Sequence, residues 1–525
     1  MKRSCKFFSI LTSILLLSGC TKIDVPVEDA LTPDNFPTSD AQFIQAAGPA
    51  YVSFRGSYCL AYWEEQTLST DEAILPSRAG GWYDGGQYQQ MHYHNWTADN
   101  PIVDGTWTWG FSTISTCNQI LSLFAGSKDS PAKSLAAAEI KTLRAIMFWM
   151  MMDAYGNIPI PTTFGDTTKP VQKSRQDVFN FIESEVKAAI PSLSTATGAS
   201  QYGRPNRYTA YALLAKLYLN AEVYVGKPRY DDAVTYCDSI IQSGKYSLAT
   251  DFAKMFYPDN GPQMTEFIFA IPYDHAQATG EQYNWFSQHP ALQPKYGLSY
   301  RLSNPVSTIP SYYAQFDDSN DVRTSLWLIG KQFDFSGNPI LINTTNVGLD
   351  NTYTGPNPTA PVAYQLNFTP DVTLANVDKF DAGSDELGKA KGIRNLKYYP
   401  DQTATSRDQS NDVAVFRYAD ILLTKAEAIL RGAAPTYNAS ALSLVNQLRT
   451  TRKAAAMTTL VLDDMLRERA RELNWENTRR IDLIRFGKYE NAWGYKTDAD
   501  PDKRLFPIPS SELILNPSLV QNPGY

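Results

Sequence analysis

A chain of 525 residues with 54 acidic against 47 basic side chains has a formal charge of −7 and no basic run, so it lacks the electrostatic footprint of a nucleic-acid or anionic-membrane binder. Its five cysteines include no CxxC pair, which leaves stability to a buried core rather than to a disulfide framework. No segment beyond the first twenty residues stays apolar for the ~18 residues that a membrane span needs.

The N-terminus reads as an export signal. Lys2, Arg3 and Lys6 precede an apolar run from Phe7 to Leu17, and Leu17-Ser18-Gly19-Cys20 follows. Small residues leading into a cysteine form a lipobox, so residues 1–19 are expected to be removed and Cys20 to become the lipidated first residue. Two acyl chains of the palmitate class on its glyceryl group and a third on its amine, at ~0.8 kcal/mol per buried CH₂, anchor the chain permanently. Residues 20–39 are Pro- and Asp-rich without periodicity and read as a tether.

From residue 40 to 525 the pattern predicts a single, mainly α-helical domain. Helical stretches between Ala41 and Phe124 alternate with a Gly/Trp/Tyr-rich loop around residues 76–110. Leu135 to Tyr155 is a strong helix stopped by Gly156 and Pro159. Val178 to Ile190 follows, then Asn206 to Tyr224 and Tyr230 to Ser243, the last two carrying small residues (Ala212, Ala215, Ala233) where helices must approach closely. Residues 246–410 change character to Pro, Gly, Asn, Asp and Tyr, with a few strand-like runs such as Phe267 to Ile271; loops of that extent are usually functional. Helical texture returns at Val413 to Arg431 and Ala439 to Lys453, and a further helix with one apolar stripe is capped by Asp463 or Asp464. Repeat-like pairs over about 135–245 and 413–490 are thus split by a loop-rich insertion.

The aromatic count is the second anomaly: 31 Tyr, 24 Phe and 10 Trp against 4 His, many of them in loop-like sequence. Exposed rings are how proteins hold sugars, the apolar face of the pyranose stacking while edge hydroxyls take hydrogen bonds. The best candidate is Asp71-Glu72 through Arg78-Ala79-Gly80-Gly81-Trp82-Tyr83-Asp84-Gly85-Gly86, where paired glycines free the backbone to push Trp82 and Tyr83 outward and Asp71, Arg78 and Asp84 can meet hydroxyls. Trp285, Tyr296 and Trp327 lie in the irregular lobe and are candidate platforms, Trp327 the weaker because Ser325-Leu326-Trp327-Leu328-Ile329 also suits a core. Trp107, Trp109 and Trp149 sit in helical context and read as core. His92-Tyr93-His94 lacks a third histidine nearby and reads as structural. Asp498-Ala499-Asp500-Pro501-Asp502 has Lys503 where a calcium loop needs Gly and Pro509 where it needs Glu, and reads as a solvated loop. Glu468, Glu472 and Glu476, interleaved with arginines, read as ion pairs along a helix. No nucleophile elbow, P-loop or dinucleotide fingerprint occurs, and no cofactor, metal or nucleic-acid partner is expected.

Several segments, in order, resemble the SusD/RagB family of outer-membrane nutrient-binding lipoproteins: Leu143-Arg144-Ala145 through Asp153-Ala154-Tyr155-Gly156-Asn157-Ile158-Pro159; Arg417-Tyr418-Ala419-Asp420-Ile421-Leu422-Leu423 with Lys425-Ala426-Glu427-Ala428; Val445-Asn446-Gln447-Leu448-Arg449; Glu468-Arg469-Ala470-Arg471-Glu472-Leu473 with Arg479-Arg480-Ile481-Asp482-Leu483-Ile484-Arg485; and Phe506-Pro507-Ile508-Pro509 with Asn516-Pro517 and Gln521-Asn522-Pro523-Gly524-Tyr525. The resemblance implies tetratricopeptide-like helix pairs in a right-handed superhelical scaffold, with the loop-rich lobe carrying the ligand site. It implies a lipid-anchored protein on the outward face of a Gram-negative outer membrane. Such a protein binds oligo- or polysaccharide without catalysis and delivers it to a SusC-like TonB-dependent transporter. The alternatives are a peptide-binding member of the family and, less favoured, a lipid-anchored glycoside hydrolase, which needs two carboxylates ~5–10 Å apart across a cleft.

Overall fold

The computed structural model describes residues 36–347 and 358–525; the signal, Cys20 and most of the tether lie outside the described residues. Local sequence explains where the helices start and stop. Ser39 caps Asp40–Tyr58 in a capping box with Gln42, Asn100 caps Pro101–Gly126, Ser130 caps Pro131–Tyr155, and Asn206 caps Arg207–Leu219 with Thr209. Pro101 and Pro131 stand at the first helical position, where no N–H is missed. Gly156, at φ 72°, ends the Pro131–Tyr155 helix, and a Cβ there would lie 2.7 Å from Leu505 Cδ1.

The helices stack as successive pairs. Asp40–Tyr58, Pro101–Gly126 and Pro131–Tyr155 pack together, Arg175–Ala189 packs on Pro131–Tyr155, and Arg207–Leu219 pairs with Tyr230–Ile241. Ala212, Ala215 and Ala233 are fully buried, letting that last pair close up. Tyr230–Ile241 then meets Tyr418–Leu430, which in turn meets Ala441–Thr451 and Leu462–Leu473. The fold is mainly α with this tetratricopeptide-like pairing, as the sequence implied.

Two boundaries differ from expectation. The 206–224 helix breaks at Asn220 into Arg207–Leu219 and Ala221–Val225. The stretch 413–431 is not one helix: Val413–Arg417 is a strand, antiparallel to Phe267–Ile271, and the helix Tyr418–Leu430 begins only after it. This two-stranded ribbon closes the base of a long excursion between its strands. Within the excursion, Trp327–Leu328 pairs with Arg394–Asn395, Gly330–Lys331 with Asn367–Phe368, and Leu341–Thr344 with Val362–Gln365.

Charge is buried on a large scale behind the ribbon. Glu468, Glu472 and Glu476 do pair with arginines, but, apart from Arg471 with Glu468, on other elements, and out of water. Arg323 reaches Glu468 at 2.8 Å and Glu472 at 3.1 Å, and Arg452 holds Glu266 and Glu472, both at 2.9 Å. Arg417 holds Glu266, Glu472 and Glu476. Burial alone would raise the Glu472 carboxyl; Arg452, Arg417 and Arg323 more than offset it and hold it well below the usual carboxylate range.

The chain from Trp475 onward packs back onto early segments. Asp71 takes two hydrogen bonds from Arg479 at 2.7 and 2.6 Å, and Glu72 accepts from the Trp475 N–H at 2.6 Å. Phe506 N–H bonds Ala154 O at 2.9 Å, Asn522 Nδ2 bonds Tyr155 O at 2.9 Å, and Trp96 Nε1 donates to the Tyr525 hydroxyl at 2.6 Å.

Candidate functional site

The glycine-rich segment is built from unusual backbone. Arg78 and Gly81 exchange both backbone hydrogen bonds at 3.1 Å across Ala79 (φ 57°) and Gly80 (φ 75°), the two-residue turn that needs positive φ at both centres. Trp82 (φ 67°), Asp84 (φ 44°), Gly85 (φ 72°) and Gly86 (φ 86°) follow in the same region. A left-handed tryptophan costs conformational energy that the surroundings must hold in place, a pattern concentrated at ligand sites.

Those surroundings are aromatic. Trp82 meets Trp285 edge to face with ring centroids 5.3 Å apart, Phe286 at 5.6 Å and Tyr88 at 6.0 Å, and its Nε1 donates to Ser303 Oγ at 2.9 Å. Trp285, on the short Tyr283–Ser287 helix, packs against both the main core and a smaller one around Tyr296 and Phe368. Trp82, Tyr83 and Trp285 are each only half-buried. The Arg407 guanidinium lies 5.2 Å from the Trp285 ring, and Lys379 Nζ 5.1 Å from that of Tyr83. Beside the pair opens a cleft of about 660 Å³ lined by Arg78, His289, Arg301, Ser303, Glu386 and Lys389, among others. The hydroxyl that orients Trp82 is thus also part of the cleft wall.

Other expected site residues are placed elsewhere. Trp327 is 5% exposed and packs edge-on to Phe316 at 5.1 Å; its short strand turns Trp327 inward and Leu328 outward, so it is core and not a platform. Tyr296 is 1% exposed, wedged between Phe335 and Tyr399, and is likewise closed to a stacking ligand. Asp71 is committed to Arg479. Arg78 lines the cleft but is 8% exposed, donating to Gly388 O, Lys389 O and Ser307 Oγ. Asp84 is exposed and stands toward Glu64, whose carboxyl is pushed to about 7 by burial and then by Asp84. Phe286 and Ser303 complete the aromatic corner. Phe286 adjoins Trp285 in sequence, whereas nothing local marks Ser303.

The remaining motifs are structural. His92 lies in the last turn of the Gln87–Tyr93 helix, is 1% exposed and accepts from the Tyr495 N–H at 3.2 Å; burial, then Lys496, lowers it to about 3. His94 Nε2 bonds Ser69 O at 2.9 Å. Trp107, Trp109 and Trp149 are buried. Among the described residues no cluster of three or more His, Cys, Asp or Glu is arranged to hold a metal ion. Glu65 is fully buried and accepts from the Tyr155 hydroxyl and Gln66 Nε2.

The family described as the SusD family matches residues 265–525, and one described as starch-binding associating with outer membrane matches residues 32–219. The starch-binding protein SusD of Bacteroides thetaiotaomicron is 26% identical over 87% of this chain and 84% of its own. A SusD-like protein of Bacteroides ovatus is 24% identical over 95% and 88%. Among solved structures, surface glycan-binding protein A from Bacteroides thetaiotaomicron in complex with laminarihexaose has TM-score 0.69 at 19% identity, covering 92% of this chain and 100% of that one. A SusD superfamily protein from Parabacteroides distasonis has TM-score 0.70 at 18% identity over 93% and 100%. At these identities the structural likeness speaks for the fold.

Proposed function

We propose that this chain, which belongs to the SusD family, captures oligosaccharide on the corner formed by Trp82, Tyr83 and Trp285 and passes it to a transporter at the outer membrane. The role is binding without catalysis. The observation that carries it is the pair of half-exposed indoles, Trp82 and Trp285, locked edge to face beside an open cleft. Rings held in that way present a preformed surface to a pyranose and lose little freedom on binding. The starch- and glycan-binding character of the relatives supports the same reading. Lipidation at Cys20, residence on the outward face and partnership with a SusC-like barrel belong to the proposal, since a tethered binder is most useful over a transporter mouth.

The test is affinity electrophoresis and calorimetry of the chain against a panel of glucans, xylans, mannans and uronic-acid glycans, with a peptide mixture in parallel. One ring stack is worth ~1 kcal/mol, so Trp82→Ala and Trp285→Ala should each weaken binding about fivefold or more. Retention unchanged in both variants removes the site, and heat with peptides but no glycan removes the ligand class.

A further inference from the structure

The cleft beside Trp82 differs electrically from the rest of the molecule. Elsewhere buried arginines face carboxylates: Arg323, Arg417 and Arg452 each hold at least two. Here they do not. Arg78 is 8% exposed and makes no ion pair among the described residues; it bonds only carbonyls and a hydroxyl, and its Nε is buried with no partner. Arg394, fully buried behind it, is held by Asn304 Oδ1 and the carbonyls of Lys389, Lys391 and Gly392. Arg301, on the cleft wall, is exposed and has no hydrogen bond or ion pair among the described residues. Lys389 is paired with Glu386 at 3.1 Å, the single acid lining the cleft.

His289 registers the combined field. It is 5% exposed, and its imidazole is pushed down to about 3, first by burial and then by Arg394, Arg78, Lys389 and Arg301. The field continues onto the aromatic corner, where Arg407 over Trp285 and Lys379 over Tyr83 also lack ion-pair partners among the described residues. The nearby acids are engaged otherwise. Asp381 accepts from Ser77 Oγ and the Gly80 and Gly383 N–H groups, Asp408 from Gly280 N–H and Gln282, and Asp84 stands toward Glu64. In a chain of formal charge −7, a concentration of uncompensated cations around one cleft is costly unless an anion completes it.

We infer that the ligand is an acidic glycan: its neutral rings stack on Trp82 and Trp285, and a carboxylate or sulfate ester enters the cleft onto Arg301, in the positive field of Arg78, Arg394 and Lys389. Arg301 makes the contact because it is exposed and uncommitted, and its planar fork matches either anion in a two-point contact. Arg78 and Arg394, fixed by backbone carbonyls, supply charge that need not reorganise. This rests on the glycan reading above and narrows its substrate class.

The experiment is calorimetry with hexasaccharides of matched length: laminarihexaose and xylohexaose as neutral probes, oligogalacturonate and oligoalginate as carboxylated ones, and a chondroitin sulfate hexasaccharide as the sulfated one. Each is measured at 50 and 500 mM NaCl. At least one acidic class should bind tenfold or more tighter than the neutral probes at low salt, with the gap narrowing at high salt. The carboxylated and sulfated arms identify which anion fits. Arg301→Ala should close the gap and Arg301→Lys restore part of it, both with unchanged melting temperature, because Arg301 has no partner among the described residues. Neutral and acidic probes binding alike, or a gap indifferent to Arg301→Ala, overturns the inference and leaves the glycan site standing. Binding of no glycan at all overturns both.

Discussion

Removing Arg417 tests whether the buried ionic cluster holds the base of the loop-rich lobe. Arg417 ends the Val413–Arg417 strand and is 1% exposed. Its Nε donates to Glu476 Oε2 at 2.7 Å, Nη2 to Glu476 Oε1 at 2.8 Å and Glu472 O at 3.0 Å, and Nη1 to Glu472 Oε1 at 2.9 Å and to Glu266. Arg417→Met keeps much of the volume and removes the charge. Glu266 and Glu472 retain Arg452, and Glu472 also Arg323, but Glu476 is left with Lys397 alone. Breaking one partner out of a buried pair costs about 3–5 kcal/mol. At ~2.1 cal/mol/K per residue, a chain of 525 residues unfolds with an entropy near 1 kcal/mol/K, so the melting temperature should fall by about 3–5 °C. Calorimetry at pH 7.5 and pH 5 supplies the second reading. The orphaned carboxylates take up protons more readily in the variant, so its deficit should shrink at pH 5. A melting temperature within 1 °C of the parent, or a deficit equal at both pH values, refutes the claim that Arg417 neutralises buried acids.

Two further outcomes follow from buried groups. Burial raises Glu65 and Glu281 to about 8 and Glu72 to about 7. The folded chain therefore holds protons that the unfolded chain has released between about pH 4.5 and 8, and stability falls as pH rises through that window. Below about 6.5 the buried His92 and His289, lowered to about 3, offset only part of this slope, and the trend reverses near about pH 5, where the unfolded carboxylates take up protons as well. Urea midpoints should therefore peak near about pH 5 and drop steadily by pH 8.5; a midpoint rising from pH 5 to pH 8.5 contradicts this. Gly388 has no room for a methyl: its Cβ would stand 2.8 Å from Ala382 O and 2.7 Å from Gly383 Cα, both backbone. Gly388→Ala should cost about 1–3 kcal/mol in urea unfolding and also weaken glycan binding, since Gly388 O anchors Arg78; full binding at parental stability is the refuting result.

The helices were legible wherever punctuation was local. Ser130-Pro131 and Gly156 bracket Pro131–Tyr155, and Asn206 with Thr209 opens Arg207–Leu219. Val413 to Phe416 was ambiguous because a short apolar run suits a strand or a buried helix equally; only pairing with Phe267–Ile271 decides it. The spacing of Glu468, Glu472 and Glu476 suggested neighbours on one helix, but their partners Arg323, Arg449, Arg417 and Lys397 lie mostly in other segments. At the site, paired glycines revealed Trp82 and Tyr83, since turn chemistry is written locally. Trp327 and Tyr296 looked like Trp285 in composition and differ only in what covers them. The cationic cleft was invisible, because Arg78, Arg301 and the segment from Lys389 to Arg394 lie far apart in the chain and converge only through the fold.

The clamp between Asp71 and Arg479 spans 408 positions of chain, and that distance has a temporal meaning. Ribosomes add about 5–20 residues per second, so roughly 20–80 s pass between the appearance of the two partners. During that interval Glu72 has no Trp475 amide, Trp96 no Tyr525 hydroxyl, and the end of the Pro131–Tyr155 helix no Phe506 to seal it. The nascent chain cannot finish ahead of its own last residues. Until Trp475, Arg479 and Phe506 have emerged, the segments that carry Glu72, Asp71 and Ala154 lack the partners that close them.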